Sequence, residues 1–360
     1  MSAAIPAPIR DILDKARWAP SGDNTQPWRF EILAGEHVLV HGFDTRDHCV
    51  YDLDGHPSQL AVGALLECLS LAATAYGRRT RISRRPDSAE THLLFDVHFE
   101  PDTTIKPDPL AAFIEKRVVQ RRPMSTRPLT DAQKLALSAA AGETYKVIWF
   151  ERPDQRRRMA KLCFDNAKIR LTIPEAYEVH RAVIEWGARY SADKIPALAV
   201  GADALNLKMM RWAMTSWERV DFLNTWFMGD LMPRLQMDLL PGMRCAAHFA
   251  LFANQPTSTL DHYIDAGRAM QRFWLTAASL GLYVQPEMTP LIFSRYHRMH
   301  IEFTRVEAAR ALAAGLATRL KESFGGEDIE ALFFMGRIGS GPAPDARSTR
   351  KPLESLMMTG

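Results

Sequence analysis

The sequence predicts an α+β fold that occurs twice in one chain, with the two copies packed against each other as a pseudo-dimer. Three observations predict this: helical and strand-like segments alternate, two apolar helices share a glycine spacing, and a helix–loop–strand unit recurs. The chain has 360 residues, of which 47% are hydrophobic and 24% are charged. It therefore has the composition of a globular protein and is long enough for two cores.

The first predicted element is an amphipathic helix over 8–18, which Pro20 ends. Further helices are predicted at 58–77, 110–118, 130–141, 263–282 and 305–322, and a helical stretch rich in Trp and Met runs from 155 to about 238. The predicted strands are WRFEIL, HVLVHGF, HLLFDVHFE, YKVIWFE, AAHFALFA and IEALFFMGRIG.

Two alignments of the chain with itself indicate the repeat. At an offset of 204, residues 61–77 align with 265–281, and Gly63 meets Gly267. At an offset of 120, residues 21–30 align with 141–150. The common order of the two matches predicts a first half at 1–105 and a second half at 106–360, with a helical insertion at about 174–245.

Charge and cysteine usage exclude several classes of protein. The 45 basic and 42 acidic residues give a net charge of +3, which is no basis for a nucleic-acid partner. The four cysteines lie far apart without a C-x-x-C pair, and we expect no metal site. The N-terminus lacks an apolar signal core, and no apolar run approaches the ~20 residues that span a bilayer. We therefore expect a cytoplasmic protein without a membrane partner.

The two copies carry different polar segments. Copy one has the loop APSGDNTQPW at 19–28, in which two prolines flank a side-chain amide pair and a tryptophan. Copy two has Thr144 at the position of Asn24, but it is preceded by the basic segment EKRVVQRRPMSTRPL at 115–129. If the copies pack as a pseudo-dimer, the loop and the basic segment can meet in one composite site.

These segments resemble the nitroreductase family of FMN enzymes. The specific motif is the family's PSxxNxQPW segment, which is matched in place at Pro20, Ser21, Asn24, Gln26, Pro27 and Trp28. Three weaker motifs are the basic segment KRVVQRR, the G-L-x-x-x-P turn and a late basic anchor, matched at Arg117, Arg121, Gly281, Leu282, Pro286 and Arg350. The resemblance runs from residue 8 to about 355, except for 174–245.

The resemblance implies a three-layer α/β/α fold, FMN as the cofactor, and no catalytic residue beyond the flavin itself. It implies that Arg117, Arg121 and Arg350 hold the phosphate, because clustered arginines suit a dianion. Amide side chains can donate and accept hydrogen bonds, so Asn24 and Gln26 suit the edge of the flavin ring. A backbone N–H near Glu287 is expected to meet flavin N5. The complete predicted set is Pro20, Ser21, Asn24, Gln26, Trp28, Arg117, Gln120, Arg121, Gln285, Pro286, Glu287, Arg347, Arg350 and Lys351.

The inserted stretch has two interpretations. Packing in a core or an interface is the ordinary role of a segment rich in Met and Trp. A lid over the flavin is the functional interpretation, with Met209, Met210 and Trp212 as candidate substrate or lid residues.

Three functions are compatible with these features. The first is an FMN-dependent oxidoreductase that passes electrons by a ping-pong scheme from NAD(P)H or a substrate to a nitroaromatic, a quinone or a biosynthetic intermediate. The second is a flavin-binding or storage protein whose site is sealed by the insertion. The third is a partner-dependent oxidase that acts on a bound peptide or carrier. The expected partners are small molecules, and the expected state is a monomer or a loose homodimer.

Overall fold

The computed structural model describes residues 6–358, so the expected domain limits at residues 1 and 360 lie outside the described residues. Within 6–358 the helices combine with two four-stranded antiparallel sheets, which confirms the predicted α+β class. The elements of the first half are α1 (Ala7–Ala16), β1 (Trp28–Ala34), β2 (His37–Phe43), α2 (His56–Thr74), β3 (Arg78–Arg84) and β4 (His92–Pro101).

The second half follows the same plan with longer connections. Its elements are α3 (Asp131–Ala141), β5 (Tyr145–Phe150), α4 (Pro153–Leu171), α5 (Pro174–Val183), β6 (Ile184–Glu185), β7 (Tyr190–Ser191), β8 (Ile195–Pro196), α6 (Ala204–Ala213), α7 (Trp217–Phe227), α8 (Leu231–Arg234), α9 (Leu240–Met243), β9 (Ala247–Ala253), α10 (Leu260–Ser279), β10 (Tyr283–Pro286), α11 (Thr289–Arg298), α12 (Glu307–Ser323), β11 (Leu332–Gly339) and β12 (Arg347–Ser348).

The two sheets share one strand order. The first sheet runs β1-β2-β4-β3 and the second runs β5-β9-β11-β10, and every neighbouring pair is antiparallel. In each sheet a long helix connects the second strand to the third, α2 in one and α10 in the other. The two sheets therefore agree in strand order and in the position of the helical crossover.

The helices α2 and α10 pack on each other between the two sheets. By length and composition α2 could cross a membrane, but 83% of its apolar window is buried inside the protein. One of its sides joins the core of the first sheet, where Phe30, Val40 and Phe95 form one row across three strands. α10 joins the core of the second sheet through Phe273 and Trp274.

The second sheet is covered on both faces, whereas the outer face of the first sheet is polar. Phe249 and Phe333 face α10, and Phe252 and Met335 face a separate core that contains residues of α4, α11 and α12. Strand β4 instead alternates buried and half-buried residues, and β3 alternates half-buried and exposed ones, the pattern of a sheet with one solvated face.

The chain outside the main elements extends both sheets. Val119, which precedes α3 in the second half, forms a parallel bridge with Val284 of β10 in the same half. Met357, at the end of the second half, forms a parallel bridge with Phe30 of β1, and Leu353 and Leu356 are buried in the first core. The C-terminal segment therefore brings residues of the second half onto the first sheet.

Two expected elements are wrong in detail, and one strand was not predicted. The helix predicted at 110–118 is only a 3₁₀ turn at Pro109–Phe113, because the chain beyond it is drawn out along β10. The arginine-rich segment at 78–84, to which the sequence assigned no element, is a strand that pairs along its whole length with β4. The stretch from 155 to 238 is interrupted by three two-residue strands between 184 and 196.

The loop between the first helix and first strand differs between the halves. Residues 17–27 connect α1 to β1, whereas only residues 142–144 connect α3 to β5. The strands therefore do not align at the offset of 120, which would place Phe150, the end of β5, on Phe30 near the start of β1. Thr144 belongs to a short turn and is not a structural counterpart of Asn24.

Candidate functional site

The loop at 19–28 is the most strained segment of the described chain. Asp23, Asn24 and Gln26 have φ angles of 49°, 63° and 51°, and residues other than glycine rarely adopt this left-handed region. The Ser21 hydroxyl accepts the Gln26 N–H at 3.0 Å and holds the turn closed. Strain of this kind persists only where surrounding contacts impose it, and it concentrates at functional sites.

The two amide side chains of the loop bond to the insertion and to the C-terminal segment. Asn24 Nδ2 lies 3.3 Å from the carbonyl oxygens of both Lys194 and Thr349. Gln26 Nε2 donates to the Ala192 carbonyl at 2.9 Å, and its Oε1 accepts the Lys351 N–H at 2.9 Å. The part of the insertion that touches the predicted site is therefore the segment 189–199, which we name the strap.

Three of the predicted arginines meet beside Trp18. Arg117 and Arg350 each donate to the Trp18 carbonyl, at 3.1 and 3.4 Å. The guanidinium carbons of Arg347 and Arg350 lie 5.2 and 5.9 Å from the Trp18 ring centroid. Arg350 also donates to Asn24 Oδ1 at 2.8 Å, which joins this arginine group to the loop.

No ion pair with a carboxylate involves these three arginines in the described part of the chain. Burial lowers the pKa of Arg117 to about 10. Burial, followed by repulsion from Arg117 and Arg347, holds the pKa of Arg350 well below its usual range. Clustered positive charge without counter-charge is costly unless an anion joins it.

Orphaned polar atoms occur among the predicted residues. Trp28 Nε1, Arg117 Nε, Gln285 Oε1 and Arg347 Nε are all buried without a hydrogen-bond partner in the structure. Buried polar atoms are nearly always paired, so such atoms indicate a missing partner or a stored strain. Two of the four belong to the arginine group.

A second group of predicted residues lies at the end of β10. The Nε2 amide of Gln120 donates a hydrogen bond to the Pro342 carbonyl at 2.9 Å. Arg121 donates to the Ala199 carbonyl of the strap at 3.3 Å, and burial, with Asp23 opposing, lowers its pKa to about 10. The Glu287 N–H donates to the Met335 carbonyl at 2.9 Å, so the sheet already uses it.

Glu287 belongs to a buried charged trio that the sequence analysis did not identify. His248 Nδ1 donates to Glu287 Oε2 at 2.7 Å, and Arg337 Nη1 donates to Glu287 Oε1 at 2.8 Å. His248 Nε2 contacts the Gly242 carbonyl at 2.8 Å, and a carbonyl only accepts, so both ring nitrogens carry protons. The available signal was a single polar residue in each of two apolar strands, AAHFALFA and LFFMGRIG.

The trio has strongly shifted pKa values. Burial alone would lower the pKa of His248, but Glu287 and Cys245 raise it to about 10. Burial alone would raise the pKa of Glu287, but His248 and Arg337 lower it to about 2. Arg337 Nη2 also donates to the Arg121 carbonyl at 2.8 Å, so the trio is hydrogen-bonded to the backbone of the basic segment.

The other predicted residues are placed as follows. Pro20 is buried at the start of the loop. Gln285 Nε2 donates to the carbonyl of Pro286 at 2.8 Å. Met209 and Trp212 are exposed to 54% and 52%, and Met210 packs on a small cluster with Ala197 and Leu207. These three residues lie on α6, and the contacts with the loop come instead from the strap.

Space beside the arginine group is limited. A cavity of about 180 Å³ is lined by Arg117, Trp274, Gly281 and Leu282 among others. Pockets for small molecules commonly measure roughly 300–1,000 Å³. A larger cavity of about 480 Å³ lies elsewhere, between 46–53, 175–178 and 302–305, and none of the predicted cofactor residues lines it.

Sequence relatives cover parts of the chain. An uncharacterized protein of Mycobacterium tuberculosis (strain CDC 1551 / Oshkosh) is 26% identical over 370 residues, which is 97% of this chain and 48% of that protein. A second one from the same strain is 28% identical over 198 residues, 53% of this chain and 56% of that protein. A third, named Putative NAD(P)H nitroreductase, is 31% identical over 137 residues, 37% of this chain and 40% of that protein. The chain thus spans about half the length of these curated relatives.

Two solved structures are similar at low identity. One is a nitroreductase-like family protein from Bacillus cereus, with 10% identity, a TM-score of 0.35, and 70% of this chain and 96% of that chain covered. The other is an FMN-dependent nitroreductase from Mycobacterium smegmatis in complex with NADPH, with 15% identity, a TM-score of 0.37, and coverage of 70% and 98%. Both TM-scores are low, so the fold of this chain is defined by its own strand order. No protein-family model matches the chain.

Proposed function

We propose that the chain is a nitroreductase-like flavoprotein that binds one FMN between its two halves and acts as an FMN-dependent oxidoreductase. The observation that carries the proposal is the arginine group beside Trp18. It combines Arg117 with Arg347 and Arg350, all three of the second half, and it lies against the strained loop of the first half. The family membership, the duplication and the site residues are all part of this proposal.

The phosphate end of FMN fits the arginine group. A phosphate monoester carries a charge of roughly −1.5 to −2 at neutral pH and offers three strong acceptor oxygens. Arg117 Nε and Arg347 Nε are the unpartnered donors that such oxygens would satisfy. An anion there would also offset the repulsion that depresses the pKa of Arg350.

The ring end fits only after a local movement. Asn24 and Gln26 would hold the polar edge of the ring, but the strap carbonyls of Ala192 and Lys194 now accept from their amides. Bound FMN supplies the electron transfer, and the protein orients it and tunes its electrons. The strap residues therefore have to withdraw, or the ring has to lie beside them, when the cofactor is present.

The sequence relatives support the same proposal. The segment similar to the relative named Putative NAD(P)H nitroreductase is 31% identical. From that name we propose NADH or NADPH as the electron donor and a nitroaromatic, a quinone or a biosynthetic intermediate as the acceptor.

The test is anaerobic mixing of the purified protein, reconstituted with FMN, with NADH and with NADPH. Rapid loss of the visible flavin absorbance with either nucleotide, followed by its return on adding a quinone, is the expected result. Absence of bound FMN after reconstitution would refute the flavoprotein itself.

A second candidate function is a flavin-binding protein with a sealed site and little reductase activity. The observation that favours it is the strap, because its backbone carbonyls accept hydrogen bonds from both side-chain amides of the loop. In the same experiment this candidate predicts flavin that stays oxidised with NADH and NADPH but is reduced by dithionite. The two functions are therefore separated by one comparison.

A further inference from the structure

The insertion contributes many more exposed apolar side chains than its share of the chain length would suggest. Within residues 6–358, ten of the seventeen exposed large hydrophobic side chains lie between 198 and 240. They are Leu198, Leu205, Met209, Trp212, Phe222, Trp226, Phe227, Met228, Met232 and Leu240. Monomeric proteins rarely expose contiguous apolar patches of this kind unless the patch binds something.

The helix α6 has two apolar faces. Leu207 and Met210 face inward, onto a small cluster with Ala197 and Ala202. Leu205, Met209 and Trp212 follow the i, i+4, i+7 spacing of one helix face and are exposed to 68%, 54% and 52%. The helix already packs on the protein through its first apolar stripe. A second, exposed stripe is typical of a helix that packs against a further partner.

The helix α7 extends the same surface. None of its eleven residues is buried, and Phe222 and Trp226, one turn apart, are exposed to 53% and 73%. The Arg219 guanidinium stacks 4.9 Å from the centroid of the Trp212 ring and joins the two helices. We name the exposed side chains of α6 and α7 the α6/α7 face.

The two helices of this face carry different charges. α6 has Lys208 and Arg211, and α7 has Glu218 and Asp221 together with Arg219. Lys208, Arg211, Glu218 and Asp221 are exposed, and none has an ion pair in the part of the chain that the structure describes. The Arg219 guanidinium is already engaged by Trp212 and Thr215 of its own copy. Glu218 and Asp221 therefore remain to complement the basic α6 of another copy.

We propose that the α6/α7 face is the interface of a twofold-symmetric homodimer, in which α6 of each copy packs on α7 of the other. A twofold interface uses the same surface of both copies. The basic α6 of each copy therefore meets the acidic residues on α7 of the other. Trp, Phe and Met are the residue types enriched in interface cores. This surface lies outside the predicted flavin site, so the proposal is independent of the cofactor.

The available area suits a second copy. An aromatic side chain can bury about 150–250 Å². With the exposed fractions of Trp212, Phe222, Trp226 and Phe227, and with the neighbouring Leu and Met side chains, the face offers on the order of 800 Å². A stable protein interface uses about 800 Å² on each partner. A membrane-binding helix pair would instead carry mainly Lys and Arg on its polar side, whereas α7 carries the acidic Glu218 and Asp221.

The first test measures mass in solution by sedimentation over a range of concentrations. We expect a dimer for the wild-type protein and a monomer, or a dimer dissociation constant raised on the order of tenfold or more, for the variant Phe222→Ser/Trp226→Ser. The matched control is Leu135→Ser, because Leu135 is exposed to 73% on α3, outside the face. Circular dichroism checks that each variant is folded.

The second test exchanges charges between the helices. Lys208→Glu/Arg211→Glu and Glu218→Lys/Asp221→Lys should each weaken the dimer, because each places like charges across both contacts. A mixture of the two variants should form a heterodimer, since both contacts are then complementary. Wild-type protein that stays monomeric throughout would overturn the proposal, as would failure of the mixture to associate. Monomeric protein that binds anionic vesicles would overturn it in favour of a membrane surface.

Discussion

Gly63 and Gly267 face each other where α2 crosses α10. A Cβ atom built on Gly63 would lie 2.1 Å from the Ile264 carbonyl oxygen and 3.0 Å from Gly267 Cα, and one built on Gly267 would lie 2.3 Å from the Leu60 carbonyl oxygen. The same two residues meet when the two copies are aligned. The two long helices therefore touch at the positions that the offset of 204 also aligns.

Gly63→Ala should lower the free energy of unfolding by about 3 kcal/mol, because backbone atoms of the facing helix must move apart. Urea unfolding measures the effect. The control is Gly315→Ala on α12, where an added Cβ meets nothing within 4 Å. That change should stabilise the protein by about 0.5–1 kcal/mol. Equal effects at the two positions would show that the helices do not approach as closely as described.

Arg350→Ala should weaken FMN binding by about 1.5–3 kcal/mol, the range for a hydrogen bond to a charged group. Fluorescence titration of the apoprotein with FMN measures this. Arg81→Ala is the control, because the Arg81 side chain is exposed and pairs with Glu100 at 2.9 Å on the outer sheet. If both variants bind FMN alike, the phosphate lies elsewhere.

The ratio of FMN to protein should be one per 360-residue chain. The strained loop occurs only in the first half, because residues 142–144 leave no room for a second one. Asn24→Ala and Arg121→Ala should both weaken this single site, and their effects should be non-additive if one ordered pose uses both. Thr144→Ala should leave binding unchanged. Two FMN per chain, or flavin loss in Thr144→Ala, would contradict the composite site.

His248→Gln should lower the free energy of unfolding by about 3 kcal/mol near pH 6, because it breaks a buried charged pair. The pKa of His248 is raised from 6.5 to about 10, so its contribution is complete below about pH 6.5 and is lost as the pH rises toward 10. The pKa of Glu287 is lowered from 4.5 to about 2, so its contribution is lost only as the pH falls below about 4.5.

Urea unfolding of wild type and His248→Gln between pH about 6 and about 10 checks this. The difference between the two proteins should shrink steadily as the pH rises. The same substitution at the exposed His297 is the control for the change of residue type. A difference that is constant with pH would show that His248 is neutral in the folded protein.

The sequence by itself predicted the parts of the fold that depend on local pattern. Hydrophobic periodicity located most helices and strands, and the α+β class followed from their alternation. The glycine spacing of the two long helices aligned Gly63 with Gly267, but their contact is a finding of the structure. The prolines and amides of residues 19–28 indicated a functional loop, although not its three residues with positive φ.

Only the tertiary structure decided what those residues touch. The grouping of Arg117 with Arg347 and Arg350, and the separation of Arg121 from them, depend on the segments that bridge to the sheet edges at Val119 and Met357. The strap contacts Asn24 and Gln26 through backbone carbonyls. Because every residue has a carbonyl, no pattern of residue types could have predicted these contacts. The His248–Glu287–Arg337 trio joins three strands or strand ends that lie far apart in the chain. Periodicity reports which face of an element is buried, but only the folded chain determines which faces meet, because long-range contacts are set by the packing of all elements together.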